Sequence, residues 1–114
     1  MGMETPLVIA WICLIVAGVF ETVWMISLKN SNGFQNALPT TVFIISSLAS
    51  FFFLSQALKQ IPVGTSYSVW TGIGMVGTVI LGILWYKEPA TLPRIMCILM
   101  IAIGVLGLKF YDKS

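Results

Sequence analysis

Between Ala37 and Tyr86 the sequence carries a single charged side chain, Lys59. A membrane-spanning helix needs about 20 mostly apolar residues. This stretch supplies two such runs, 37–58 and 61–86, each free of charge. A third run, 7–28, contains one charge, Glu21. The fourth lies between Arg94 and Lys109 and is shorter. It can still span if both cations reach back to the interface and Leu92, Pro93 and Phe110 extend it. The predicted spans are 7–28, 37–58, 62–86 and 92–111, with Pro62 and Gly64 opening the third. The expected fold class is an all-α integral membrane protein with four transmembrane helices. It forms one four-helix domain over residues 1–114. The first run is read as a retained helix and not a cleaved signal, since it is long and the segment before it carries Glu4 and no basic residue.

Composition narrows the function classes. Charged residues make up 9% and hydrophobic ones 58% of the chain, whereas soluble domains carry about 25% charge. Histidine is absent, which removes the commonest catalytic base and metal ligand. Cys13 and Cys97 sit in apolar runs and read as small hydrophobes. They provide neither a metal centre nor a disulfide framework. A net charge of +2 without a basic cluster leaves no footprint for nucleic acid. Gly72, Gly74 and Gly77 have the spacing of a dinucleotide fingerprint, but they lie mid-span, where no strand precedes a helix. They read instead as a thin stripe where helices approach closely or bend. No cofactor, metal or enzymatic activity is expected.

Lysine and arginine bias between loops sets orientation in the membrane. Here Lys59, Lys109 and Lys113 fall on one side, against Lys29, Lys87 and Arg94 on the other. Neither orientation is strongly preferred, which leaves two readings: one orientation wins by weaker cues, or both are inserted and pair as an antiparallel homodimer. Two inverted copies would supply the inverted repeat on which many transporters are built.

Glu21 lies about 5 Å from the midplane of the first span at about 1.5 Å per residue. It is the one ionisable side chain well inside hydrocarbon, and such residues are functional candidates by default. Low dielectric favours a neutral carboxyl. The group can hold a proton or release it to bind a cation. If both ligands share it, each displaces the other, which suffices for proton-coupled antiport. Helical spacing sets Trp24, Gly18 and Ala17 beside Glu21, and Tyr67, Trp70, Thr71 and Gly74 on one face of the third span. Aromatic faces attract cations. The second span is rich in hydroxyls, with Ser46, Ser47 and Ser50, which can also bond their own helix backbone.

The stretch Gly18-Val19-Phe20-Glu21-Thr22-Val23-Trp24 is followed by Leu28-Lys29, Asn32-Gly33-Phe34 and the segment from Pro62 through Trp70-Thr71-Gly72-Ile73-Gly74. With Gly104 to Lys109 near the end, the sequence resembles the small multidrug resistance family over nearly its whole length. Trp24, three residues after the glutamate, is similar to the guanidinium-exporter subtype. The resemblance implies an antiparallel, dual-topology dimer in the bacterial inner membrane that exchanges protons for guanidinium and small substituted guanidinium cations. It also implies residue roles. Glu21 would bind proton and substrate, with Trp24 and Ser50 donating hydrogen bonds to it. Trp70 would orient the glutamates, and Tyr67 would take part in closure. Gly18, Ser46, Ser66, Ser68 and Thr71 are possible secondary contributors. Ser66 and Ser68 depart from the subtype, which commonly has alanine there, and Met25 and Ser27 also differ. Gly104 and Gly107 resemble the family's dimerisation helix. The alternatives are a broader exporter of quaternary ammonium compounds and a structural membrane subunit.

Overall fold

The computed structural model describes residues 4–111 and is entirely helical over its regular elements. Helix α1 runs Glu4–Asn30, α2 Ala37–Ala57, α3 Val63–Trp85 and α4 Leu92–Tyr111. Each coincides with one of the apolar runs, so the four-helix membrane architecture expected from the sequence is present. Three helices are long and apolar enough to cross a membrane, while the apolar part of α4 is the shorter Leu92–Leu108. Lys113, one of the cations in the orientation count, lies outside the described residues, as does the side chain of Lys109.

The helix ends follow local chemistry. Lys29 closes α1, where a cation meets the exposed carbonyls of the last turn. Asn32, Gly33 and Phe34 all take positive φ (50°, 68° and 69°), which reverses the chain within a few residues. Ser31 pins this turn. Its hydroxyl donates to the Leu28 carbonyl at 2.7 Å and accepts from the Phe34 amide at 3.2 Å. Pro62 precedes α3 with ψ 146°, an extended residue that starts the helix without a donor of its own.

Packing is organised by α1. Ala10, Leu14, Ala17, Gly18 and Thr22 are buried along one stripe of this helix, at the 3–4 spacing of a single face. One edge of the stripe meets α2 and the other meets α3, while α2 and α3 barely touch and α4 packs on α3 alone. Apart from Leu14 the residues of this stripe are small, which lets backbones approach where lipid removes the usual hydrophobic drive. The result is a slab of 47 × 35 × 19 Å, about two helix diameters thick. Its radius of gyration is 15.4 Å, against about 13 Å for a closed globule of this length.

Candidate functional site

Glu21 occupies the next position along the buried stripe of α1, one turn after Ala17 and Gly18. Its carboxyl lies in a notch on α3 that exists because residue 74 is glycine. A Cβ at Gly74 would overlap Oε1 and Cδ of Glu21 and stand 2.8 Å from its Cγ. Thr22 fixes the same level. Its hydroxyl points between two carbonyls, Gly74 at 3.3 Å and Gly18 at 3.4 Å. A Cβ at Gly77 would overlap Thr22, and one at Gly18 would stand 2.6 Å from Cγ2 of Ile73. Three glycine notches therefore set the register of α1 against α3, and Glu21 fills the middle one. Gly72 faces the other way, where a Cβ would overlap Val105 of α4. The glycines with dinucleotide-like spacing are thus points of close helix approach.

A cavity of about 210 Å³ opens beside the notch, lined by Glu21, Met25, Gly74, Met75, Thr78 and Val79. It holds roughly seven times the volume share of one water molecule. Glu21 is the only acidic one of the described residues lining it, and no cation among them does so. Among the described residues, no salt bridge involves Glu21. Its Oε1 is buried without a hydrogen-bond partner among the described residues, and so are Nε1 of Trp24 and Oγ1 of Thr71. Buried polar atoms are normally paired, and leaving one unpaired costs about 1–3 kcal/mol. Three such atoms occur on α1 and α3 within about one helical turn of the Glu21 notch. Thr71 is notable because the threonines and serines at 40, 41, 46, 47 and 55 all donate to carbonyls of their own helix ends or turns.

A hydrogen-bonded pair lies one turn earlier on α1. Trp70 Nε1 donates to Ser50 Oγ at 2.9 Å, and Ser50 Oγ donates to the Ala17 carbonyl at 2.7 Å. Ser50 is 0% exposed and Trp70 8%. The chain links α3, α2 and α1. Ser50 has one proton, and Ala17 receives it. The hydrogen bonds expected from Ser50 and Trp24 to Glu21 are therefore not formed within one chain. Ser50 is committed to Ala17, and the Trp24 indole N–H has no partner.

The remaining predicted residues separate by position. Tyr67 is 60% exposed and its ring centroid lies 6.0 Å from that of Trp70, so it borders Trp70 from the outer surface of the chain. Trp24 packs edge-on to Phe43 at 5.9 Å. Ser46 donates to the Val42 carbonyl at 2.6 Å, and buried Ser66 reaches the Ile61 carbonyl at 3.4 Å. Both hydroxyl protons face backbone of their own segment. Ser68 is exposed. Gly18 shapes the helix contact. The sequence gives no signal for Thr22, which looks like any β-branched residue until its register against Gly74 and Gly77 is known.

Comparison with known proteins settles the kinship of this architecture. The family model described as Small Multidrug Resistance protein matches residues 9–101. The chain belongs to the small multidrug resistance family. This agrees with the resemblance read from the sequence. A protein named Guanidinium exporter from Yersinia pseudotuberculosis serotype I (strain IP32953) is 48% identical over 100 residues, covering 88% of this chain and 96% of the relative. The Guanidinium exporter of Proteus vulgaris is 44% identical over the same share of this chain and 96% of its own length. That of Escherichia coli (strain K12) is 41% identical, covering 88% of this chain and 95% of the relative. Family membership and the apolar helices make this a multi-pass protein of the bacterial inner membrane. As a small multidrug resistance protein it is a transporter and not an enzyme.

Proposed function

We propose that this chain exports guanidinium and small substituted guanidinium cations in exchange for protons, with Glu21 as the shared ligand. The observation that carries the proposal is the buried, unpartnered Oε1 of Glu21 in its glycine notch. Relatives that share 41–48% of the aligned residues bear the name Guanidinium exporter. Guanidinium is planar, weakly hydrated and rich in N–H donors, and it can meet a carboxylate with two parallel hydrogen bonds. A proton on Glu21 removes that partner. Bound cation excludes the proton in turn, so one carboxyl couples the two fluxes. Trp24 would narrow the space around it and, with Thr71, provides buried polar atoms that a ligand can satisfy. Quaternary ammonium ions carry no N–H and would gain no such bonds.

The functional unit is an antiparallel homodimer. Each chain is a thin slab with the site near its middle, and the loop cations are balanced between the two sides. A second inverted copy would cover the open side of Glu21 and bring the two carboxyls into one coupled titration. Trp70 and Ser50 would hold the α1 backbone next to the site, and Tyr67 would close it from the exposed edge. The whole chain acts as one four-helix domain.

Proteoliposome transport under a pH gradient tests the proposal. Guanidinium should drive proton exchange in the wild type and fail to do so in Glu21→Gln. Efficient export of quaternary ammonium compounds with no guanidinium flux would transfer the function to a multidrug exporter. Unchanged activity in Glu21→Gln would indicate a structural subunit. Adding lysines to one side should lock a single orientation and abolish transport, and an oppositely biased copy should restore it. Full transport by the locked form alone would refute the antiparallel dimer.

A further inference from the structure

At one end of the molecule the end of α1, the end of α3 and the start of α4 come together. Lys29, Lys87 and Arg94 lie here with one acid, Glu88. Arg94 Nη2 pairs with Glu88 Oε1 at 2.6 Å, and Arg94 Nη1 donates to the Pro89 carbonyl at 3.0 Å. The Glu88 carboxyl is seated in another glycine notch, with Cδ 2.9 Å from where a Cβ on Gly82 would stand. Its backbone amide donates to the Gly82 carbonyl at 3.0 Å. Glu88 is therefore committed to Arg94 and to α3, and it cancels one cation of three. Lys29 holds its ammonium 5.1 Å from the centroid of the Tyr86 ring. Tyr86 in turn donates to Asn30 Oδ1 at 2.6 Å. The Lys29 ammonium has an aromatic neighbour, and no carboxylate forms a salt bridge with it among the described residues.

Between these groups is a cavity of about 170 Å³. Lys29, Tyr86, Glu88 and Arg94 line it together with apolar residues that include Met25, Ile26 and Val79. The neighbouring surface is apolar and open, with Leu84, Trp85 and Leu92 each about 70% exposed. Trp and Tyr favour the depth where hydrocarbon meets headgroups. The site combines positive charge that Glu88 cancels only in part, apolar residues in its lining, and exposed apolar surface beside it at the ends of the membrane helices.

We infer that this cavity binds the headgroup phosphate of an anionic phospholipid, with Lys29 as the principal ligand and Lys87 adding to the local field. A free anion would match the charge but leave the apolar lining and flank unused. A zwitterionic lipid would offer Glu88 an ammonium that Arg94 already replaces.

Native mass spectrometry of the full-length protein in detergent tests the inference. Phosphatidylglycerol, phosphatidylethanolamine and phosphatidylcholine with identical acyl chains would be titrated in turn. The wild type should retain phosphatidylglycerol in preference to the other two. Lys29→Gln should lower that preference about fivefold, and Lys29→Gln/Lys87→Gln by a similar factor again. Lys29→Arg should keep it, and so should Lys59→Gln at the opposite end. If Lys29→Gln does not fold, Lys87→Gln alone carries the comparison. Equal retention of phosphatidylethanolamine or phosphatidylcholine would overturn the inference. An undiminished preference in the variants would do the same. Complete displacement of phosphatidylglycerol by excess inorganic phosphate would make this a free-anion site.

Discussion

Replacing Gly74 by alanine should separate ligand binding from folding. A Cβ at this position would overlap Oε1 and Cδ of Glu21 and stand 2.8 Å from Cγ. Carbon atoms in ordinary contact sit about 3.5–4.0 Å apart, so the carboxyl must withdraw by about 1 Å. The atoms that move are the far end of a flexible side chain, which limits the structural cost. Alanine also favours the helix by up to about 1 kcal/mol over glycine. Gly74→Ala should therefore insert and resist unfolding at least as well as the wild type. Binding should suffer, because the carboxylate leaves the place where it meets its ligand. A hydrogen bond to a charged group contributes about 1.5–3 kcal/mol, so guanidinium affinity should fall roughly 10- to 100-fold. Calorimetric titration of the purified protein with guanidinium measures the affinity, and thermal unfolding in the same detergent measures stability. Gly64→Ala is the control, since among the described residues its added Cβ meets nothing within 4 Å beyond its chain neighbours and its own helix backbone. In the first turn of α3 it should change stability little and keep the affinity. Wild-type affinity in Gly74→Ala would refute the role of the notch in positioning Glu21.

Two further predictions concern stability. Ser50→Ala removes the acceptor of the Trp70 indole and leaves a buried N–H unpaired. Thermal unfolding should show a loss of about 1–3 kcal/mol, and a change near zero would mean that water replaces the hydroxyl. Lys87 has φ of +56°, a left-handed conformation that costs a residue with a Cβ about 1 kcal/mol or more. Lys87→Gly should raise stability by about that amount in the same assay, while Lys87→Ala should not. An equal gain in both would assign the effect to the lost charge.

Glu21 was legible because a carboxylate stands out in hydrocarbon wherever its neighbours lie. Trp24 and Trp70 were legible through helical spacing and family likeness. Their hydrogen bonds were not. Ser50 donates to a backbone carbonyl four residues before Glu21, a contact that depends on how α2 leans on α1. Tyr67 shares a nominal helix face with Trp70 and Thr71, yet its side chain is mostly exposed while Trp70 is buried. Thr22 became meaningful only beside Gly74 and Gly77.

That this chain lives in a membrane, crosses it as helices and carries one carboxylate inside can be read from its residues alone. Those properties follow from the count and order of apolar and charged residues, because hydrocarbon excludes charge and unpaired backbone. Which face of each helix meets which neighbour emerges only in the folded chain. In a soluble protein the apolar stripe announces that face, since the opposite side must be polar. Here lipid is as apolar as the protein interior, so the pattern around each helix carries little direction. Orientation is set by shape, through the notches that glycines 18, 72, 74 and 77 leave for Ile73, Val105, Glu21 and Thr22. Shape complementarity of that kind exists only when two helices are in register, and for this reason the position of Glu21 between its neighbours had to come from the fold.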